Sequence, residues 1–135
     1  MNETTVVKMA RVHASELGAV LFRNNVGRLP EPGGGRWVEF GLCKGASDTI
    51  GYQPLLITQE MVGTKIARFV AVELKDYDGM DEAQIRDFIV RRLPTGSKAA
   101  KHLSEQCNFI DAVRRNHGLA GFARNNQELE TLLRG

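Results

Sequence analysis

Apolar positions first recur at helical spacing near the N-terminus, where Val6, Val7, Ala10 and Leu17 approximate one stripe. Asn2 or Thr4 can cap that helix and Gly18 can stop it. The pattern then shortens to strand-like runs. Residues 19–22 are a short apolar strand that opens into the polar, turn-rich Arg23-Asn24-Asn25-Val26-Gly27. Residues 29–35, rich in proline and glycine, can be neither helix nor central strand and are expected as a mobile loop. No GK[ST] follows them, so they do not read as a phosphate cradle. Residues 37–42 form a second strand with one apolar face, 45–51 a glycine-bounded turn carrying Asp48, and 54–58 a third short strand. Phe69-Val70-Ala71-Val72-Glu73-Leu74-Lys75 is the strongest strand of all. After a turn at Asp76-Tyr77-Asp78-Gly79, Asp81 can cap a helix over 82–93 that Pro94 and Gly96 stop. Ser97 can cap a second helix to about residue 116, with Gly118 as its exit and an inward stripe of Ala99, Leu103, Gln106 or Cys107, Ile110 and Val113. A buried strand over 119–123 and a last helix over 126–133, capped by Asn126, complete the order. That order describes an α/β domain with a mixed central β-sheet flanked by helices.

Composition narrows the picture. With 135 residues, 42% of them apolar, the chain is expected to be a single domain over 1–135. A formal charge of +2 does not by itself announce a nucleic-acid partner, but Arg86, Arg91, Arg92, Lys98 and Lys101 cluster, opposed mainly by Asp87. No stretch is apolar enough to span a bilayer and no signal peptide is evident, so the expected location is cytoplasmic, with no membrane partner. Cys43 and Cys107 have no CxxC spacing and read as free thiols of a reducing compartment.

Side chains alternate along a strand, so Glu73 and Lys75 emerge on one face while Val72 and Leu74 point to the other. A carboxylate beside an ammonium can hold a metal and orient a water, although Glu-x-Lys is equally the sequence of an ordinary surface ion pair. Asp48, in its tight turn, can present a second carboxylate to the same sheet edge. Two carboxylates with a backbone carbonyl make a hard-oxygen site suited to magnesium or manganese. His13, His102 and His117 have no zinc-ligand spacing and read as surface or core residues.

Asp48 followed by Glu73-Leu74-Lys75 has the form of the PD-(D/E)xK nuclease signature. The wider set is Phe22-Arg23-Asn24-Asn25-Val26-Gly27, Lys44-Gly45-Ala46-Ser47-Asp48-Thr49-Ile50-Gly51, Val72-Glu73-Leu74-Lys75 and Ser104-Glu105-Gln106-Cys107-Asn108-Phe109-Ile110, then Gly118-Leu119-Ala120-Gly121. In this order it resembles a VRR-NUC domain, particularly the small stand-alone versions found in bacteriophages, over nearly the whole chain. The resemblance implies a restriction-endonuclease-like core and a metal-dependent endonuclease. Asp48 and Glu73 match the metal-binding acids, with the Leu74 carbonyl beside them, and Lys75 matches the catalytic lysine. An early helical acid also belongs to the pattern, and Glu3 fits its place relative to Gly18 better than Glu16. The family glutamine has two contenders: distance from Lys75 favours Gln84, whereas the Phe109-Ile110 and Gly118-Leu119-Ala120-Gly121 that follow favour Gln106. Ser47 stands where the family usually has proline, and a basic helical segment at about 80–101 reads as an insertion.

Stand-alone members are associated with homodimers that cut branched DNA such as four-way junctions. Flap, nicking or single-strand cleavage is the nearest enzymatic alternative, and a non-catalytic DNA-binding module the alternative from another class. Arg91, Arg92, Lys98 and Lys101 could track a phosphate backbone, joined by Arg23 and Asn25, with Arg114, Arg115 and Arg124 as lesser candidates. Ile85, Phe88, Ile89 and Leu93 of the inserted segment need a cover, for which a twofold partner is one candidate.

Overall fold

Asn2 starts the first helix. In the computed structural model, which describes residues 2–134, its side chain accepts the Thr5 N–H at 2.9 Å, and α1 runs Glu3–Glu16. Gly18, at φ 79°, makes the left-handed exit. The chain returns in β1 (Val20–Arg23), which pairs antiparallel with β4 (Thr49–Tyr52), Phe22 opposite Ile50. Gly51 of β4 has no room for a side chain, because a Cβ there would lie 1.7 Å from the Val20 carbonyl oxygen. Between them β2 (Gly27–Pro30) and β3 (Trp37–Phe40) form an antiparallel hairpin. These elements make up the first of two compact units, Met1–Leu56. Among its described residues only Val7 is buried, while Val6, Met9 and Val12 of α1 and Trp37 of β3 are exposed.

The second unit, Ile57–Gly135, holds the core. Its centre is a parallel pair, β5 (Val70–Leu74) with β6 (Leu119–Ala123), in the register Val70 to Leu119 and Leu74 to Ala123. Parallel strands cannot be joined by a hairpin, and here the crossover is helical: α2 (Glu82–Arg92), a short 3-10 turn at Leu93–Thr95, and α3 (Lys98–Arg115). Asp81 opens α2 through a capping box, its carboxylate accepting the Gln84 N–H at 2.8 Å while the Gln84 side chain accepts the Asp81 N–H at 2.9 Å. One face of α3 buries Ala100, Cys107, Ile110 and Val113; Ile85 of α2 and Leu119, Ala120 and Ala123 of β6 complete the core. A last helix, α4 (Asn126–Arg134), packs on β6.

Four charged groups tie α2 to α3. Arg86 bonds Glu82 at 2.9 Å and Asp111 at 2.8 Å, and Arg114 reaches Glu82 at 2.8 Å. The Arg114 hydrogen bond, with a further one from Arg86, outweighs partial burial and lowers the Glu82 pKa to about 2. Asp111 is also held below its ordinary range, chiefly by Arg86. Burial pushes the Cys107 thiol up, as expected of a packing cysteine.

The α/β class stands, but the strands differ from expectation. Instead of one mixed sheet, the described residues form three two-stranded sheets, two antiparallel and one parallel. Leu29 and Pro30 lie in β2 rather than in a loop, which a hairpin edge permits because Pro30 ends the strand. Thr49, Ile50 and Gly51 belong to β4, not to the turn. Residues 54–58 pair with no strand and lead into a 3-10 turn at Gln59–Met61. In α3 the buried alanine is Ala100 and not Ala99, and the left-handed residue after the helix is His117 rather than Gly118. Asn125, not Asn126, accepts the first-turn N–H of Glu128. No helix among the described residues is long and apolar enough to cross a membrane.

Candidate functional site

Glu73 sits near the end of β5 and Lys75 just beyond it, and their two-residue spacing brings both side chains to the same part of α3. There Gln106 joins them. Lys75 Nζ donates to Gln106 Oε1 at 2.7 Å, and Gln106 Nε2 donates to Glu73 Oε1 at 2.6 Å. Lys75 Nζ is 3.8 Å from the same Glu73 oxygen and 5.6 Å from the centre of the Phe122 ring. The amide therefore bridges cation and anion with each end matched to its partner, and among the described residues Glu73 Oε2 is left without a hydrogen bond. Glu73 and Gln106 line an open cleft of about 360 Å³ with Ala71, Val72, His102, Glu105, Phe109 and Ile110.

Of the two glutamines, the structure puts Gln106 against Glu73 and Lys75. Gln84 is occupied in the capping box of α2. Sequence reasoning read His102 only as a surface or core residue: one helical turn before Gln106, its Nε2 lies 3.2 Å from the Gln106 amide nitrogen. The i,i+4 spacing was the available signal, but it required knowing which α3 face meets β5.

In the first unit, Asp48 is exposed at the entrance to β4. Asn24 pins its turn at three points: the Asn24 N–H donates to the Asp48 carbonyl at 2.8 Å, its side-chain amide donates to the Ser47 carbonyl at 2.9 Å, and its side-chain oxygen accepts the Leu42 N–H at 3.0 Å. Arg23 Nε donates to Asn25 Oδ1 at 2.7 Å. Glu3 is exposed in the first turn of α1, and Glu16 pairs with His13 at 3.0 Å. Among the described residues, no group of three or more His, Cys, Asp and Glu side chains is placed to hold a metal ion.

The basic residues separate into two sets. Arg86 and Arg114 are committed to Glu82 and Asp111, and Arg124 bonds Glu128 and the Gly79 carbonyl, so these three are structural partners. Arg91 pairs with Asp87 at 2.9 Å on the exposed face of α2. Arg92, Lys98 and Lys101 are exposed, with no ion pair among the described residues. The apolar side of the segment at 80–101 is covered within the unit, since Ile85 is buried and Phe88 and Ile89 half-buried where α2 packs on α3, whereas Val90 and Leu93 are exposed. No protein-family model, curated protein or solved structure matches this chain.

Proposed function

We propose that this chain is a divalent-metal-dependent DNA endonuclease with a restriction-endonuclease-like core of the VRR-NUC kind, acting on branched or four-way junction DNA, and that it works as a homodimer. The observation that supports this reading most is the bridge from Lys75 through Gln106 to Glu73, closed by bonds of 2.7 and 2.6 Å. A buried structural ion pair needs no glutamine between its members. An amide there holds the ammonium near the carboxylate while leaving Lys75 further N–H groups and Glu73 a second oxygen for other partners.

Glu73 Oε2 and the Leu74 carbonyl are hard oxygens of the kind magnesium or manganese takes, and the exposed Asp48 carboxylate of the first unit is the other metal-binding acid that the resemblance implies. Such an ion, when bound, polarises a phosphoryl oxygen and lowers the pKa of its water. Lys75 orients the attacking water and offsets charge developing on the phosphate, and Gln106 fixes where the Lys75 ammonium sits. Glu3, also of the first unit, is the early helical acid that the resemblance implies. Arg91, Arg92, Lys98 and Lys101, with Arg23 and Asn25, are the proposed backbone contacts.

The test is cleavage of linear, flapped and four-way DNA with magnesium or manganese. Chelation by EDTA and the Lys75→Ala substitution should each reduce cutting by about a hundredfold or more. Binding with no cleavage under any of these conditions would instead make the chain a DNA-binding module, and preference for flaps or single strands would move it to the neighbouring nuclease class.

A further inference from the structure

The geometry points to His102 as a positioning residue that fixes the orientation of the Gln106 amide. This inference rests on the proposed reading of the cleft and deepens it. Lys75 Nζ has only hydrogens to offer, so the Gln106 atom 2.7 Å away must be the carbonyl oxygen. The Glu73 carboxylate accepts at 2.6 Å, so the atom facing it must be the amide nitrogen. Both neighbours demand the same placement of oxygen and nitrogen, which leaves no freedom to flip the amide. The amide nitrogen carries two hydrogens, and Glu73 takes one. The other has His102 Nε2 at 3.2 Å. That contact is a hydrogen bond only if Nε2 is the acceptor, which makes His102 a neutral imidazole with its hydrogen on Nδ1. The opposite tautomer would set N–H against N–H and press the amide away from Glu73. His102 is exposed at the rim of the cleft and touches neither Glu73 nor Lys75 by a hydrogen bond among the described residues, so its action runs through Gln106.

The ring tautomer can be read directly from the ¹⁵N resonances of His102 in the full, labelled chain at about pH 8, above the ordinary histidine range near 6.5. The expected result is a protonated Nδ1 and a bare Nε2. In His102→Phe, the two side-chain N–H signals of Gln106 should move while the backbone signals of β5 and β6 hold. The turnover of DNA cleavage should fall roughly three- to tenfold with KM unchanged, the size of one lost neutral hydrogen bond. His102→Gln, which returns an acceptor oxygen, should restore part of the rate. A protonated Nε2, or Gln106 signals indifferent to His102→Phe, overturns the inference. A chain that cuts no DNA, yet has a bare Nε2 and displaced Gln106 signals in the variant, refutes the nuclease reading and leaves the role of His102 in orienting Gln106 standing.

Discussion

Gln84 and Gln106 are the same residue type on neighbouring helices, yet their surroundings assign them different work. Gln84 closes a capping box with Asp81, whereas Gln106 lies between Lys75 and Glu73. Gln84→Ala should therefore lower stability by about 0.5–1 kcal/mol, the scale of a lost helix cap, and leave the cleavage rate intact. Gln106→Ala should reverse this, cutting turnover roughly ten- to a hundredfold with little effect on melting. Chemical denaturation and single-turnover cleavage on both variants check the pair. At this scale the sequence was partly legible. Glu73 and Lys75 could be placed on one strand face because strand alternation is local, and the glutamine could be narrowed to two. Which of them lies against Glu73 and Lys75, and that His102 lies beside it, depends on the rotation of α3 over β5, which long-range packing sets.

At the level of elements, the joint between α2 and α3 should dominate the stability of the second unit. Ile85, 1% exposed, is the main apolar contribution of α2 to the core, and Ile85→Ala should cost about 2–4 kcal/mol. The charged cluster beside it adds a pH dependence. With the folded Glu82 pKa at about 2 against an ordinary 4.5, its contribution is fully present above about pH 4.5 and fades as pH falls toward 2. Asp111, lowered in the same direction, acts alongside it. Glu82→Gln should flatten that acid limb and destabilise the chain near neutrality by roughly 1–2 kcal/mol, because solvent screens part of the pairing at a side chain 31% exposed. Thermal melts between about pH 2 and pH 7 would show it. Helix boundaries were the most legible feature here, since Asn2, Asp81 and Ser97 each cap as their residue type suggests. The strands were less so. Proline at Pro30 and glycine at Gly51 argue against a strand on propensity, but a hairpin end tolerates the first and close approach to Val20 requires the second.

Among the described residues the expected single sheet gives way to three pairs of strands, and the chain folds as two compact units, an outcome that depends on pairing partners that hydrophobic periodicity does not encode. The basic residues obey a similar limit. Sequence could show that they cluster, but only the carboxylates around Arg86, Arg114 and Arg124 reveal which are already engaged. Arg92, exposed with no ion pair among the described residues, and Arg91, exposed and paired with Asp87, define the DNA prediction: Arg91→Ala with Arg92→Ala should weaken binding and make its logarithmic salt slope shallower by about one to two, whereas an unchanged slope would remove both from the contact surface. The central claim is that Glu73 serves a phosphodiester-cleaving site, and it is tested most directly by single-turnover cleavage of a labelled four-way junction in magnesium by the chain and by its Glu73→Gln variant. Cutting that stops in the variant while junction binding persists is the predicted result; a variant that cuts at the rate of the unaltered chain contradicts it.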